Sequence, residues 1–528
     1  MDPLEPTLRR PLKGGGGATV AAGPGDAAGR RAAWILGGFL ATVTALRLAY
    51  LAFGPLDLSP DEAHYWEWSR RLDWSYYSKG PLVAYLIRAL TTAFGPSAFA
   101  IRLGAVALSV AGALAIYRLG RESIGDSRAA LLAAVGLQLT PLVWAGSLLM
   151  TIDPAFLTAW VVALLCLHRA FAAGSRAAWL GAGAAVGVGL LAKYTMLFVL
   201  PGLALYLWRA PEARRWGRRP DPYLAGALAV VVFLPVIVWN ARQGWISARH
   251  VAGQGRGTGW TALTLLEFLG SQAGVLTPLI AGILAWAAWY GVREGLVRGR
   301  EPYRFLTAFG VPVLGFYLAL SLQGKVQANW PAAAYPPLAL VAAAALRERA
   351  ERFGAARCRR QSRLLGLAGG LALAVTILGH GTDVLPVPPS LDPTTRLKGW
   401  RDLGNAVSRL WREMPTPERT FLASDRYQIT SELAFYVDGR PPAYNVNLGR
   451  RLNQYDLWEG PDARVGWDAI YVQEGTGRPD ERLTAAFERV EGPSVVEVRR
   501  RERTVRTFSL YRGFGFRGMA APTGPRTY

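Results

Sequence analysis

The sequence predicts an all-α, polytopic membrane domain followed by a small α/β domain, and three observations carry this prediction. Of the 528 residues, 51% are hydrophobic, and the mean hydropathy is +0.18. The apolar residues come in blocks of roughly 15–25, the length that a membrane-spanning helix needs, with short basic stretches between them. After residue 380 this pattern changes to an amphipathic helix and several short strands.

The apolar blocks predict about eleven membrane spans. Loops rich in Arg alternate with loops that lack Arg clusters, and the positive-inside rule places the Arg-rich loops in the cytoplasm. The segment after the first span, the turn near residue 150, the loops 241–260 and 323–331, and the tail are then expected on the outer side. The predicted spans lie near 33–54, 98–119, 129–149, 154–171, 178–192, 194–208, 223–240, 263–290, 304–322, 331–346 and 364–380.

The chain divides by composition into three parts. Residues 1–30 are rich in Gly, Pro and Ala and are expected to form a disordered cytoplasmic N-terminus. No cleavable signal peptide is recognised there, so the first apolar block of the transmembrane domain, 31–380, is expected to be an uncleaved anchor. The extracytoplasmic α/β domain, 381–528, is expected to contain one helix in KGWRDLGNAVSRLWREM and strands in RTFLASD, DAIYVQE and RTVRTFSLYRG.

The net charge of +22 is explained by the Arg-rich cytoplasmic loops. No basic stripe lies outside those loops and the tail, so a nucleic-acid partner is not expected. Cys166 lies in an apolar span and Cys358 in a basic loop, so a disulfide between them is not expected. The four histidines show no metal-ligand spacing. We assign no cofactor, and the sequence leaves a divalent metal open without supporting one.

The segment LSPDEAHYWEWSRRLDWSYYSKGP, residues 58–81, contains two adjacent carboxylates directly after the first span. Ser59 is expected to cap a helix, Pro60 suits its first position, and Glu62 completes a capping box. The carboxylate of Glu62 therefore has a structural explanation. Asp61 lies where the helix dipole favours an anion, but no cap requires it.

Aromatic residues follow on the same predicted helix. Tyr65, Trp68 and Leu72 share one face, and Trp and Tyr favour the membrane–water interface, so the helix is expected to lie along the outer membrane surface. The stretch PLVAYLIRALTTAFG, 81–95, predicts a second interfacial helix. Between the two, Lys79 in YYSKGP either extends along the interface as an ordinary lysine does, or binds an anion at the membrane surface.

Residues 61–87, DEAHYWEWSRRLDWSYYSKGPLVAYLI, resemble the first outer loop of the GT-C membrane glycosyltransferases. The resemblance is greatest to the bacterial family 39 group, which is related to protein O-mannosyltransferases and to the aminoarabinose transferases of lipid A. It rests on the acidic pair after the first span and on the aromatic–aromatic–x–Lys–x–Pro element. GKVQANWPAAAYPPLAL, 324–340, is similar to their late Lys-containing outer loop. The resemblance covers roughly residues 30–380, and the tail is like that of some bacterial members.

The resemblance implies transfer of a sugar from an undecaprenyl-phosphate carrier. An acceptor hydroxyl must lose its proton as it attacks, and Asp61, which matches the catalytic Asp of the family, would take that proton. The leaving phosphate needs cations to stabilise its charge. Lys79 matches a phosphate-contacting lysine of the family, Lys325 is the second candidate, and Arg102 is the third. An arginine at the outer end of a span, as Arg102 is, also has the alternative of reaching the interface without a functional role.

Three further charged residues have two interpretations each. Asp153 precedes Pro154, as an N-cap residue often does, or it is a second acid that lines the same outer cavity. Lys193 lies between two short apolar runs and marks an outer turn or contacts the donor. Glu62, besides capping, is a candidate to bind a cation or the acceptor.

The substrate pocket is expected to include His64, Tyr65, Tyr77, Asn329 and Trp330. A metal site at His64 is not expected, because His64 follows Glu62 by two residues and their side chains point in different directions on a helix. An interfacial anchor is the alternative role for Trp330. In the tail, the segment SDRYQITSELAFY either contacts a glycan or forms a packed helix.

Two classes of function remain. The first is an inverting hexosyl- or pentosyltransferase that takes an undecaprenyl-phosphate sugar and modifies a lipid, protein or glycan on the outer face of the bacterial inner membrane. The second is a lipid-linked sugar transporter or flippase, which would have charges near the membrane midplane and broken helices in paired positions. The outer charges of this chain are concentrated in loops, which favours the transferase, whereas the short pair of spans around Lys193 favours the transporter.

Overall fold

The computed structural model describes residues 24–254, 259–352, 354–382, 392, 394–500 and 503–519. The membrane part is helical, and its helices are α1 Pro24–Phe53, α2 Pro60–Arg70, α3 Leu82–Phe94, α4 Ala98–Ile124, α5 Ser127–Gln138, α6 Pro141–Leu148, α7 Ile152–Ala173, α8 Arg176–Ala192, α9 Val199–Arg209, α10 Asp221–Arg242, α11 Ile246–Gln254, α12 Ala262–Leu276, α13 Pro278–Gly291, α14 Tyr303–Ser321, α15 Tyr335–Arg352 and α16 Gly354–His380. Short 3-10 segments at Tyr194–Phe198, Pro211–Arg218 and Trp330–Ala334 and a π-helical turn at Val292–Val297 connect some of them.

Six of the described helices are long and apolar enough to cross a membrane, so the chain is a multi-pass membrane protein. They lie in α1, α4, α7, α10, α14 and α16. The pairs α5 with α6 and α12 with α13 bend by 67° and 110°, and counting each pair as one span gives up to eight spans in the described residues. The predicted count of about eleven is therefore not confirmed.

Both bends occur where a threonine precedes a proline. Pro141 begins α6 and Pro278 begins α13, and a proline at the first position of a helix does not continue the helix before it. Thr140 caps α6 with its hydroxyl, whereas Thr277 has a left-handed backbone with φ of 71°. The spans predicted for 129–149 and 263–290 therefore each contain a sharp bend.

The tail contains a five-stranded sheet with helices against it. Its elements are α17 Trp400–Arg412, β1 Thr420–Ser424, α18 Tyr427–Tyr436, β2 Ala443–Asn445, β3 Asp468–Glu474, α19 Glu481–Ala485, β4 Phe487–Arg500 and β5 Arg503–Phe516. The strand order is β2-β1-β3-β5-β4, with β1 parallel to β2 and β3, and β5 antiparallel to β3 and β4. The predicted helix and the three predicted strands, α17, β1, β3 and β5, are confirmed.

One hydrophobic core joins the tail to the segment after the first span. It contains Trp66 and Trp68 of α2 together with Trp400 of α17 and Phe435 of α18. The rings of Tyr65 and Trp68 are buried within the protein, with 7% and 1% exposure, instead of lying at the membrane surface as the sequence had suggested. The tail supplies the apolar partner that a membrane was expected to supply. The segment 58–81 and the tail therefore lie on the same side of the membrane.

Candidate active site

Glu62 lies in the first turn of α2 and is fully buried. The Ser59 hydroxyl accepts a hydrogen bond from the backbone N–H of Glu62. In return, the Glu62 carboxylate accepts one from the backbone N–H of Ser59 at 2.9 Å, so the predicted capping box is present. The same carboxylate accepts two N–H groups of the Arg102 guanidinium and the backbone N–H of Met150, each at 2.9 Å. Every oxygen of Glu62 is thus occupied by a partner from the protein.

The guanidinium group of the buried Arg102 also has hydrogen-bond partners within the protein. Beyond Glu62, its guanidinium donates to the carbonyl oxygens of Leu56 at 3.2 Å and Asp57 at 2.6 Å. Burial alone would raise the pKa of Glu62, but the charge and hydrogen bonds of Arg102, with two backbone N–H groups, hold that pKa below its usual value. We interpret Glu62 and Arg102 as a structural pair that joins α2 to α4, not as the substrate contacts that the sequence had suggested.

Asp61 is the neighbour of Glu62, but its side chain points elsewhere. It is half-buried, and its carboxylate accepts a hydrogen bond from the hydroxyl of Tyr427 in α18 at 3.2 Å. One turn further along α2, Tyr65 lies near both Asp61 and Asp153. Burial and then the charges of these carboxylates raise the pKa of Tyr65 well above its usual value, so its phenol keeps its proton.

Asp153 lies in the first turn of α7, where Thr151 caps the helix. The capping role considered for Asp153 is therefore filled by another residue. Its carboxylate instead accepts a hydrogen bond from the ammonium group of Lys193 at 2.9 Å and one from the side-chain amide of Asn329 at 2.5 Å. Both Asp153 and Lys193 keep some exposure, 16% and 10% of their side chains, so the pair borders open space.

Lys79 reaches this cluster because the loop before α3 packs tightly on the end of α8. A Cβ atom on Gly80 would lie 2.1 Å from the backbone oxygen of Leu191, so only glycine permits this approach. Burial and the nearby Lys193 lower the pKa of Lys79, and the carboxylates of Asp153 and Asp61 oppose that shift. Lys79 makes no hydrogen bond or ion pair through its ammonium with any residue that the structure describes.

The remaining predicted residues lie around this cluster or apart from it. Asn329 contacts Asp153, as described, and Trp330 packs against Tyr317 of α14 at 5.9 Å between ring centroids. Lys325 is exposed on the loop before Trp330 and forms no ion pair with the described part of the chain. The structure therefore brings Asp61, Asp153, Lys79, Lys193, Asn329 and Tyr65 together and leaves Lys325 at the surface.

His64 and Tyr77 hold the tail in place. The ring of His64 stacks on Tyr455 and lies 3.1 Å from the hydroxyl of Ser431, and burial lowers its pKa to about 3, so it is neutral. The backbone N–H of Tyr77 donates to Gln454 at 2.6 Å. Both residues were expected in the substrate pocket, but they contact the tail from segment 58–81.

Two residues of the tail belong to the cluster and were not identified as site residues from the sequence. Tyr427 donates to Asp61, and the charge of Arg451 contributes to lowering the pKa of Lys79. Arg451 is exposed and forms no ion pair within the described residues. Tyr427 is part of SDRYQITSELAFY, which was expected either to contact a glycan or to form a packed helix. The segment contains the packed helix α18, and the first residue of that helix, Tyr427, contacts Asp61. No local pattern marked Arg451.

An apolar cavity of about 290 Å³ ends at the cluster. It lies between α4, α5, α6 and α7, and both Asp153 and Asn329 line it. Most of its wall consists of aliphatic side chains such as Leu108, Val143 and Leu157. Such a wall is suited to an apolar ligand, and Asp153 links the cavity to Lys193.

A metal site requires several ligand side chains that lie close together and point towards one position. Among the residues that the structure describes, no group of three or more His, Cys, Asp or Glu side chains is arranged to hold a metal ion.

Residues 78–239 match the family described as dolichyl-phosphate-mannose-protein mannosyltransferase. The fold matches that of ArnT from Cupriavidus metallidurans, solved bound to undecaprenyl phosphate, with a TM-score of 0.65, 17% identity, and coverage of 94% of this chain and 99% of that one. The predicted GT-C resemblance is confirmed. The match of 78–239 includes Lys79, Asp153 and Lys193 but begins after Asp61.

Curated relatives of this chain are named as sugar transferases. The lipid A galacturonosyltransferase RgtD of Rhizobium johnstonii is 33% identical over 300 residues, which are 55% of this chain and 61% of the relative. The undecaprenyl phosphate-alpha-4-amino-4-deoxy-L-arabinose arabinosyl transferase of Edwardsiella ictaluri is 26% identical over 322 residues, 52% of this chain and 56% of the relative. The chain thus spans somewhat more than half the length of these relatives. Neither name supports the transporter alternative.

Proposed function

We propose that this chain is a glycosyltransferase of the bacterial inner membrane that moves a sugar from an undecaprenyl-phosphate carrier to a hydroxyl group of lipid A on the outer face. The proposal rests on one observation above all. Two carboxylates, Asp61 and Asp153, and two ammonium groups, Lys79 and Lys193, come from separate segments and lie near one another, and Asp153 also lines an apolar cavity. The names of the relatives supply the donor and acceptor classes.

In this mechanism the cavity holds the first part of the carrier chain, and its phosphate lies beside Lys79. The oxygen of the acceptor hydroxyl attacks the anomeric carbon while the bond from that carbon to the phosphate oxygen breaks. The electron pair leaves with the phosphate, whose growing charge Lys79 stabilises, and Asp61 takes the hydroxyl proton. A single displacement of this kind inverts the anomeric centre.

Asp153 and Tyr427 have supporting roles. Asp153 is bound to Lys193 and Asn329, so it orients Lys193 rather than taking a proton itself. Tyr427 donates to one oxygen of Asp61 and leaves the other oxygen for the acceptor. In this proposal the tail takes part in the reaction centre through Tyr427, and the positive-inside pattern of the loops supports an outer location for both.

The test is transfer by the purified, reconstituted protein. Lipid A is the acceptor, and undecaprenyl phosphate carrying either 4-amino-4-deoxy-L-arabinose or galacturonic acid is the donor. Mass spectrometry of lipid A reports the product. We expect one donor to be used, and we expect Asp61→Asn to lower the rate about 10²- to 10⁴-fold, as loss of a general base does.

Asp438→Asn is the matched control, because Asp438 is an exposed carboxylate of the tail whose one ion pair within the described residues is with the exposed Arg412. It should transfer at the wild-type rate. If Asp61→Asn also does so, Asp61 is not the base. If vesicles instead move the carrier lipid across the bilayer with no transferred sugar, the protein is a transporter.

A further inference from the structure

A second cavity, of about 360 Å³, lies between the C-terminal end of α2 and the tail. Arg70 is nine residues after Asp61 on α2, which places this cleft on the order of 13 Å along the helix from the candidate active site. None of the residues proposed above to take part in transfer lines it. Its charged lining consists of four arginines and two glutamates: Arg70, Arg71, Arg440, Arg464, Glu67 and Glu459.

Each of the four guanidinium groups lies over an aromatic ring. Arg71 lies 4.4 Å from the ring centre of Trp458, and Arg464 lies 4.3 Å from that of Trp467. The other two, Arg70 and Arg440, share the ring of Trp66 at 4.9 and 5.2 Å. Stacking uses the flat face of a guanidinium and fixes its orientation, while its N–H edge remains able to bind an anion in a bidentate manner.

The positive charge of this cleft is only partly compensated. Glu67 pairs with Arg70 at 2.8 Å. Within the described residues, Arg71, Arg440 and Arg464 form no ion pair, although Arg440 donates to the carbonyl of Pro96 at 3.0 Å. Arg70 and Arg440 lie over the same ring of Trp66, so two like charges are held close together; burial and then the neighbouring Arg70 lower the pKa of Arg440.

The backbone conformation of Arg440 is also unusual. Its φ of 50° is in the left-handed region, which a residue with a long side chain rarely adopts, and it directly precedes Pro441. A protein tolerates such a conformation where the surrounding structure requires it, often at a binding site. Here the conformation directs Arg440 to Trp66, beside Arg70.

We propose that this cleft binds a phosphorylated saccharide. The phosphate would bind the N–H edges of Arg71 and Arg440, which have no carboxylate partner among the residues that the structure describes. The cleft is much larger than a phosphate ion. The exposed Glu459 is able to accept hydrogen bonds from sugar hydroxyls, and the hydroxyl of Tyr444, which accepts from Arg464 at 3.1 Å, is able to donate one. The site is separate from the transfer reaction, so it does not depend on the function proposed above.

Calorimetric titration of the full-length protein in detergent tests this site. The probes are glucose 1-phosphate, inorganic phosphate and glucose. We expect glucose 1-phosphate to bind at least tenfold more tightly than inorganic phosphate, and glucose to show no binding. The double variant Arg71→Gln/Arg440→Gln should weaken glucose 1-phosphate binding at least tenfold. Arg409→Gln, which changes an exposed arginine elsewhere in the tail, should leave it unchanged.

Lys79→Ala distinguishes this cleft from the candidate active site. This variant should bind glucose 1-phosphate as the wild type does. If Lys79→Ala loses glucose 1-phosphate binding and the arginine double variant retains it, the proposal is overturned. Equal affinity for glucose 1-phosphate and inorganic phosphate would overturn it as well. Arg71→Lys/Arg440→Lys preserves both charges but not the stacked planar groups, and an affinity equal to wild type in that folded variant would contradict the role assigned to the fork geometry.

Discussion

Adjacent residues on a helix point about 100° apart, and Asp61 and Glu62 illustrate the consequence. The carboxylate of Glu62 points into the protein and is bound by Arg102, so it is neutralised there. The carboxylate of Asp61 accepts a hydrogen bond from Tyr427, is only half-buried, and its charge opposes the lowering of the Lys79 pKa. Two neighbouring acids therefore have different roles, one in stability and one in the proposed chemistry.

Lys79 should make donor binding depend on pH. Only its protonated form attracts a phosphate, and its pKa lies below the ordinary 10.5 because of burial and Lys193. Donor affinity should therefore fall as pH rises through that lowered pKa. Lys79→Ala should weaken binding about 10- to 100-fold at neutral pH, since a hydrogen bond to a charged group contributes about 1.5–3 kcal/mol.

Lys79→Arg is the informative comparison for this prediction, because arginine keeps its charge to a higher pH. Its donor affinity, measured by titration with undecaprenyl phosphate, should remain constant over the range in which the wild type loses affinity. Identical pH profiles for the two proteins would assign the titration to another group.

Glu432 of α18 is a buried carboxyl whose two oxygens have no hydrogen-bond partner among the described residues. Burial, then the charges of Asp57 and Glu62, raise its pKa well above the ordinary 4.5. The folded protein therefore binds a proton that the unfolded chain releases above about pH 4.5. The stability from this proton is complete below that pH and decreases as pH rises towards the folded-state pKa.

Glu432→Gln should remove this dependence, because the amide needs no proton. Its unfolding temperature should exceed that of the wild type at pH 8 by roughly 2–4 °C for each kcal/mol recovered, and should approach it near pH 4.5. Thermal unfolding followed by circular dichroism from pH 4.5 to 8 measures the difference. Glu413→Gln, at an exposed position of the tail, serves as the control. Parallel curves for Glu432→Gln and wild type would contradict the prediction.

At the scale of elements, the close contact between the loop before α3 and the end of α8 determines whether two lysines lie together. Lys79 belongs to the loop, Lys193 directly follows α8, and Gly80 is the point of contact. The like charges of the two lysines repel each other, and the backbone contact at Gly80 holds them in place. The proposed phosphate site is thus assembled by packing between two backbones.

Gly80→Ala should disrupt this contact. The added Cβ would lie 2.1 Å from the oxygen and 2.7 Å from the carbonyl carbon of Leu191, and neither backbone atom can move aside as a flexible side chain can. We expect a cost of about 1–3 kcal/mol in stability and a loss of donor affinity, since Lys79 moves away from Lys193. Titration with undecaprenyl phosphate and thermal unfolding together measure both effects.

Gly226→Ala is the matched control for this substitution. Gly226 lies in α10, and a Cβ there would meet nothing within 4 Å, so alanine should be neutral or stabilising. Donor affinity in Gly80→Ala equal to that in Gly226→Ala would show that the loop position does not matter.

At the scale of the whole molecule, the tail and the segment before α2 form one unit. The N-cap residue of helix α17 is Gly399, which has no side chain to cap it. The carboxylate of Asp57 instead accepts the backbone N–H groups of Trp400 at 2.9 Å and Arg401 at 3.3 Å. The cap of a tail helix is therefore supplied by the membrane domain. The same region, through Arg102, is joined to Glu62.

Asp57→Ala should loosen this connection. Loss of an N-cap typically costs about 0.5–2 kcal/mol, and here the cap also joins two parts of the chain. Amide hydrogen exchange should become faster in α17, Trp400–Arg412. Asp438→Ala, which removes an exposed ion pair with Arg412 of the same helix, should have little effect. Unchanged exchange in Asp57→Ala would mean that the shared hydrophobic core alone positions α17.

Local patterns predicted several features correctly. The capping box at Ser59 and Glu62, the helix over 400–412 and three of the five strands follow from residues close together in sequence. The bend at Thr277 was missed, because a proline after an apolar run is compatible with both a kink and a break. Strand β4 was missed because its exposed polar residues hide the alternation expected of a strand.

The sequence by itself determined that this protein is a polytopic helical membrane protein with an α/β tail, and which charged residues are available on one side. Only the tertiary structure decided which charges meet: Glu62 with Arg102, Asp153 with Lys193, and Asp61 with Tyr427, 366 residues away. The physical reason is that caps, periodicity and turns depend on neighbours in the chain. A pairing between distant charges depends on how closely separate helices and loops pack.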